Sequence, residues 1–268
     1  MKVGFLITAR LKSTRLPLKL LKDLHGKTVI ERVIERAKQV NDIAEIVLCT
    51  STNPQDKPLV DIARRTGIYY YNGHEDDVLQ RLSDVARFFN MDYFISITAD
   101  NPLFSIDHAN LSVDILKREH KDFVKTSGLP LGAAVYGLKA QAVEVVCTFK
   151  HILDTEMWGY LIDRPELFDV AEIQARGPLN RPDLRLTLDY EEDYRLIKDI
   201  YSHFPSGDAI NLYEALEYLS ANPAVGNINK NCVQLGLDAA ARSAIDAVFH
   251  TRKQELLRFK NDVYQREA

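Results

Sequence analysis

A chain of 268 residues with 46% hydrophobic and 27% charged residues has the composition of an ordinary globular protein, which excludes the disordered, fibrous and membrane-embedded classes. Its 34 Lys and Arg against 38 Asp and Glu leave a formal net charge of -4, so no global field draws in nucleic acid or an anionic membrane. Any polyanion must be held by a local cluster.

Residues 3–8 read as a fully buried strand. The segment from 9 to about 23 is polar and basic where a short turn into a helix is expected, and loops this long in compact domains usually carry function. Val29, Val33, Ile34 and Ala37 recur at helical spacing, and residues 45–50 form a second apolar strand, closing a strand–helix–strand unit. Leu59, Ile62 and Ala63 mark a second helix that stops at Gly67, followed by a strand at 68–71. Val78, Leu82, Val85, Ala86 and Phe89 mark a third helix, followed by a strand at 93–98. Strands alternating with helices of this length imply a parallel sheet.

From Asp122 the pattern is mixed, with strands expected at 123–126, 133–138, 168–175 and 184–188 between helices and Pro-rich turns. A helix at 190–203 opens on Glu191, Glu192 and Asp193, where the helix dipole favours acids, and carries Leu196, Ile197 and Ile200 toward a core. A short helix spans 212–219. Residues 237–264 place Ala241, Ile245, Val248 and Leu256 at near-helical spacing, an appended helix or helical hairpin that either folds back on its own domain or pairs with a second copy.

Cys49, Cys147 and Cys232 are far apart and outside any CxxC spacing, which disfavours a disulfide framework or structural zinc and points to a reducing cytoplasm. The opening apolar stretch runs straight into Arg10 and Lys12, too short for a signal peptide, and no run approaches the ~18 apolar residues of a membrane span. The histidines show no HxH or HxxxH spacing that would predict a metal cluster. Tyr69, Tyr70 and Tyr71 alternate faces along a strand and are expected to pack in the core.

Arg10, Ser13, Thr14, Arg15 and Lys19 share the loop after the first strand, so three cations and two hydroxyls project from the carboxyl edge of a parallel sheet. That edge is where α/β proteins bind ligands. A triphosphate, with about four negative charges, rewards three cations in one place, whereas the bland alternative is a solvated basic loop. Asp100 and Asp189 each follow an expected strand, so both carboxylates point toward the same edge. Taken singly, such an Asp is more often a turn former or helix cap. Beside a cationic loop the pair reads better as a magnesium site, because Mg2+ takes one or two carboxylates and fills its octahedron with phosphate and water.

The run Arg10-x-x-Ser13-Thr14-Arg15-Leu16-Pro17-x-Lys19 resembles the signature of the nucleotide-sugar cytidylyltransferases, which include the acylneuraminate and 3-deoxy-manno-octulosonate enzymes, and lies nearest the SpsF-like spore coat polysaccharide branch. The resemblance continues through Gly26-Lys27, Thr50-Ser51-Thr52-Asn53-Pro54, the 73–81 segment with Asp76-Asp77-Val78-Leu79, and Ile97-Thr98-Ala99-Asp100-Asn101-Pro102-Leu103. It returns at Arg185-Leu186-Thr187-Leu188-Asp189-x-x-Glu192-Asp193.

This resemblance, over about the first four-fifths of the chain, implies a Rossmann-like, three-layer α/β nucleotidyltransferase fold with a mostly parallel sheet, placed over residues 1–235, and the helical spacing beyond it marks a C-terminal helical extension over 236–268. The nucleotide-binding half would be about 1–120 and the acceptor-binding half about 121–235. The implied reaction moves CMP from CTP to a small anionic acceptor, a sugar acid, phosphate or phosphonate, and releases pyrophosphate with Mg2+ as cofactor. Arg10, Ser13, Arg15 and Lys19 would hold the triphosphate, with Lys19, Arg10, Arg15 and Asp100 as the catalytic set. The backbone near Ala9 with Ser51 and Arg81 would contact cytosine and ribose. Asp100 and Asp189 would hold the metal. The expected partners are CTP and the acceptor, with neither nucleic acid nor membrane, and a homodimer through the C-terminal extension is a further expectation.

Three departures stand out. Related sequences usually carry Gly where this one has Leu18. Where SpsF-like chains read Pro-x-Gly-x-Asp-x-Glu, this one has Pro130-Leu131-Gly132-Ala133-Ala134-Val135-Tyr136, which removes two acids near the acceptor side. The usual Glu-His of the next helix becomes Glu156-Met157, and Trp158 beside it is core or acceptor-pocket wall. Fewer acids predict an acceptor more anionic than the usual sugar acids. Arg181, in the Pro-flanked turn with Asn180, either touches such an acceptor or is simply solvated. The rivals are a glycosyltransferase of related fold, which usually carries Asp-x-Asp where this chain has Asp100 and Pro102, and a nucleotide-binding protein without turnover.

Overall fold

The computed structural model describes residues 1–204 and 209–266. Its strands are β1 (Val3–Thr8), β2 (Glu45–Ser51), β3 (Tyr69–Gly73), β4 (Tyr93–Thr98), β5 (Phe123–Ser127), β6 (Tyr136–Lys139) and β7 (Val170–Gln174). They form one sheet in the order β3-β2-β1-β4-β6-β5-β7, in which β6 runs antiparallel to both its neighbours and every other pair is parallel. Every residue of β1 is buried, as expected of a central parallel strand covered on both faces. From β1 the chain runs outward through β2 and β3 and then crosses back to β4 on the other side of β1, so the strand order reverses there and a crevice opens at the carboxyl ends of β1 and β4.

Helices α1 (Val29–Ala37), α2 (Lys57–Thr66), α4 (Ile106–Glu119), α7 (Glu191–His203) and α8 (Leu212–Ala221) cover one face, around Phe5, Ile7, Ile95 and Ile97. The other face, around Leu6, Val47 and Phe94, lies under α3 (Val78–Phe88), α5 (Ala140–Phe149), the short α6 (Gly159–Ile162), α10 (Ala239–Thr251) and α11 (Lys253–Gln265). The short α9 (Pro223–Gly226) follows α8. Thr28 and Glu31 form a capping box on α1, and α2 ends at Gly67 in the left-handed conformation, where a β-carbon would be strained. The expected three-layer α/β architecture with a mostly parallel sheet is the one observed. Among the described residues no helix is long and apolar enough to cross a membrane.

Three expectations need correction. Residues 184–188 are not a strand of the sheet, and only Arg185 makes an isolated bridge, to Leu131. Leu184, Leu186 and Leu188 are buried as expected, but so are Arg185, Thr187 and Asp189, and Arg185 and Asp189 are occupied by a side-chain network. Of the three tyrosines on the edge strand β3, Tyr70 and Tyr71 are half-buried and pack against the cores on opposite faces of the sheet, as expected, and only Tyr69 stays outside. Tyr69 is 54% exposed against Phe89, while the Tyr70 and Tyr71 hydroxyls pair with Arg64 and Asp84. Glu156 and Met157 stand in a turn ahead of α6 and not in a helix. The C-terminal extension is a pair of helices broken at Arg252 that folds back on its own domain. Ile245, Phe249, Leu256 and Val263 are buried in the same apolar cluster as Phe149 of α5.

Candidate active site

The crevice at the ends of β1 and β4 holds a cavity of about 330 Å³. The loop after β1 enters it and is pinned at its start, where Ala9 N–H donates to the Cys49 carbonyl (3.0 Å) and Leu11 N–H to Asp56 Oδ1 (2.7 Å). Ala9, Arg10, Ser13, Arg15, Lys19, Arg81, Asp100 and Asp189 all line the cavity, so eight of the nine residues singled out from the sequence are brought together. Ser51 is the exception. It is buried, and its hydroxyl donates to Asp56, so its role is to hold the aspartate that pins Leu11.

Each cation of the loop meets a carboxylate, which excludes a merely solvated loop. Lys19 Nζ lies 2.5 Å from Asp100 Oδ2 and 2.8 Å from Asp189 Oδ1, with its side chain 13% exposed. Arg15 reaches Asp189 Oδ1 at 3.1 Å, donates to the Tyr190 hydroxyl and lies over that ring. Arg10 is held by Glu156 (2.5 Å) and Asp76 (3.5 Å).

The two aspartates are positioned differently. Asp100 follows β4, accepts from Thr98 Oγ1 (2.6 Å), and its own carbonyl accepts from Leu188 N–H (2.9 Å), tying the two acidic segments together. Asp189 owes its place to Arg185, whose guanidinium donates to Asp189 Oδ2 and to Asp193 Oδ1, both at 2.9 Å. Asp193, fully buried at the start of α7, accepts from the backbone N–H groups of Asp189 (2.9 Å) and Tyr190 (3.0 Å), and Asn229 Nδ2 donates to it at 2.7 Å. Burial by itself would lower the Lys19 pKa and raise that of Asp189. The attraction between them, joined by Asp100 for the lysine and by Arg15 and Arg185 for the aspartate, reverses both, so Lys19 is held above and Asp189 below its ordinary value.

Arg81, from α3, is 2% exposed, donates to the Cys49 carbonyl at 3.4 Å, and its Nε has no partner among the described residues. Burial and the nearby Arg10 charge lower its pKa. A buried, under-partnered guanidinium lining a cavity favours an acceptor atom from a ligand.

Sequence reasoning named Arg185, Asp193 and Glu156 within motifs but gave Arg185 and Glu156 no role and Asp193 only that of a dipole acid, and it passed over Tyr190 and Asn229. The spacing Arg185-x3-Asp189-x3-Asp193 was the available signal, since it places a cation and two acids on one side of a turn entering a helix. Trp158 is buried edge-on to Tyr136, and Arg181 pairs with Asp183. Among the described residues no cluster of three or more His, Cys, Asp or Glu could hold a metal by itself.

Residues 5–219 match the cytidylyltransferase family. The chain is 31% identical over 238 residues to the uncharacterized protein MJ1063 of Methanocaldococcus jannaschii, covering 87% of this chain and 97% of that one. It is 26% identical over 226 residues to the spore coat polysaccharide biosynthesis protein SpsF of Bacillus subtilis, covering 82% and 94%. A solved cytidylyltransferase from Leptospira borgpetersenii superposes with a TM-score of 0.79 at 25% identity, covering 88% of this chain and all of that one.

Proposed function

The chain belongs to the cytidylyltransferase family, and from that premise we propose that it transfers CMP from CTP to a small anionic acceptor with release of pyrophosphate, using magnesium. The observation that carries this reading is the meeting of Asp100 and Asp189 on Lys19 inside the cationic loop. Two carboxylate oxygens from separate segments converge there on one positive charge. Hard anionic oxygens, two in number, fit the protein share of a magnesium site, with phosphate and water left to complete it. When bound, the ion supplies Lewis-acid polarisation of a phosphoryl oxygen.

The remaining work falls to side chains of the loop. Lys19, Arg10 and Arg15 exchange their carboxylate partners for phosphate oxygens and neutralise charge that develops as the α–β bridging bond breaks. The acceptor oxygen attacks the α-phosphorus in line, a new P–O bond forms, and pyrophosphate leaves with the bond electrons. The Arg81 guanidinium, which lines the cavity and spends one N–H on the Cys49 carbonyl, donates to a base or ribose acceptor atom.

An anionic acceptor is favoured by the 130–136 segment. Ala134 and Tyr136 stand where related chains carry acids, and Tyr136 lies between Phe123 and Trp158. An attacking phosphate or phosphonate oxygen requires no general base. The test is incubation with MgCl2, each of the four nucleoside triphosphates and a pool of sugar acids, phosphorylated amino acids and phosphonates, read by mass spectrometry. A CMP adduct lost on Asp100→Asn is the expected result. Adducts formed from another nucleotide in preference to CTP, or none with any acceptor, would overturn the proposal.

A further inference from the structure

A second cavity, of about 470 Å³, lies behind the active site. Arg185 and the chain at Gln234 and Leu235 stand between the two, since Gln234 lines the second cavity and Leu235 the first. The second cavity is lined by side-chain amides and a hydroxyl; Asn229 spends both amide hydrogens on Asp193 and the Arg185 carbonyl and Ser220 its hydroxyl hydrogen on the Leu216 carbonyl, while Asn227 and Gln234 each keep one amide hydrogen. Asn227, Asn229, Gln234 and Ser220 line it, with Lys230 exposed among them and no unpaired acid, because its Asp183 is held by Arg181. Leu131, Leu184 and Leu219 supply an apolar wall.

Arg185 is 8% exposed and spends three N–H donors, one each on Asp193, Asp189 and Gln234. A guanidinium has five, so two remain for an occupant. Side-chain amides and an arginine over an apolar wall suit a sugar ring, and Lys230 suits a single anionic group. We propose that this cavity is a second ligand site, taking a phosphorylated sugar, and that occupancy reaches the active site through Arg185. An occupant that draws on the guanidinium competes with Gln234 and changes how firmly Arg185 holds Asp189. The coupling, unlike the site, rests on the nucleotide reading given above.

Cys232 lines this cavity and is half-buried; burial and the nearby Asp193 and Glu192 raise the pKa of its thiol, while burial pushes those of Cys49 and of the equally half-buried Cys147 up to about 12, so Cys147 is the internal control for labelling. Alkylation of Cys232 by iodoacetamide therefore reports occupancy without recourse to activity. The probe is glucose 1-phosphate, titrated against the full chain with Cys232 labelling followed by peptide mass spectrometry. The expected result is saturable protection of at least fivefold, retained in Arg15→Gln, whose change lies in the first cavity, and weakened at least fivefold in Lys230→Glu. Absence of protection, or protection lost in Arg15→Gln and kept in Lys230→Glu, would overturn the site. Equal midpoints for inorganic phosphate would overturn the sugar assignment. CTP affinity should also shift at least threefold with saturating probe, and an unchanged affinity alongside intact protection would overturn the coupling alone.

Discussion

Removing the charge of Lys19 while keeping its stem tests whether Asp100 and Asp189 share one cation position. In Lys19→Met the oxygens now 2.5 and 2.8 Å from Nζ, and so no more than about 5 Å apart, face each other without the ammonium between them. At an effective dielectric of about 20, two unit charges at that separation repel by about 3 kcal/mol. Breaking a largely buried pair costs about 3–5 kcal/mol, but Arg15 and Arg185 still hold Asp189, which argues for the lower end. For a chain of this size about 3 kcal/mol corresponds to a fall in Tm of roughly 6–12 °C. The assay is thermal denaturation in EDTA and in millimolar MgCl2. The variant should recover much of its loss in MgCl2, and Lys19→Met with Asp100→Asn should recover in EDTA because one charge is gone. A single variant as stable as the wild type, or a double variant no better than the single one, would refute the shared position.

Leu18, at φ 52 and ψ 28, holds a left-handed conformation in the middle of the cationic loop. Leu18→Gly should be more stable than Leu18→Ala by about 1 kcal/mol, the reverse of the usual order, because both lose the same leucine contacts and only glycine is unstrained there; urea denaturation of the two variants checks it. The depressed pKa of Asp189 gives a stability contribution that is full above its unfolded value of about 4 and is lost as pH falls through the lower folded value. The Tm difference between wild type and Asp189→Asn should therefore shrink as the pH of the melt is taken from 5 toward 3. Lys19 gives the opposite limb, present below its unfolded value near 10.4 and lost as pH rises through the raised folded value, so Lys19→Met should flatten the alkaline fall in Tm. Asp193→Ala leaves Arg185 without its buried partner and should cost about 3 kcal/mol or more in urea denaturation, with a larger loss than Asp193→Asn. A chain ended at Gln234 uncovers α5 and should melt below the full chain, since α10 and α11 contribute Ile245, Phe249, Leu256 and Val263 to that core cluster.

What was legible in the sequence followed from periodicity and from ordered motifs. Val29, Val33, Ile34 and Ala37 lie on one buried face of α1, and alternation of strands with helices up to β4 gave the parallel half of the sheet. The antiparallel insertion of β6 was not legible, because a short apolar run carries no mark of strand direction. Burial of Leu184, Leu186 and Leu188 was readable as alternation, yet the partner of that segment is mostly side chain, and period-two patterning cannot tell a ladder from an extended segment held by Arg185 and Asp193. Tyr69 of β3 was misplaced for a related reason: alternation put Tyr70 and Tyr71 on opposite faces, where both pack against a core, but the place of the strand at the sheet edge leaves Tyr69 uncovered.

The same distinction explains why the cavity-lining residues were read from the sequence and their supports were given no role. Arg10, Arg15, Lys19 and Asp100 line a cavity because they follow β1 and β4, Asp189 reaches it from the extended 184–188 segment, and the proposed nucleotide accounts for their residue types by its charge. Arg185, Asp193 and Asn229 bind nothing in that cavity. Their chemistry is to satisfy one another in a buried setting, so each looks like an ordinary polar residue until its partner is known. Asp189 depends on them nonetheless. With its backbone N–H fixed by Asp193 and one carboxylate oxygen fixed by Arg185, the other oxygen is left to face Lys19, and one aspartate thus links the buried network to the cation position at the mouth of the sheet.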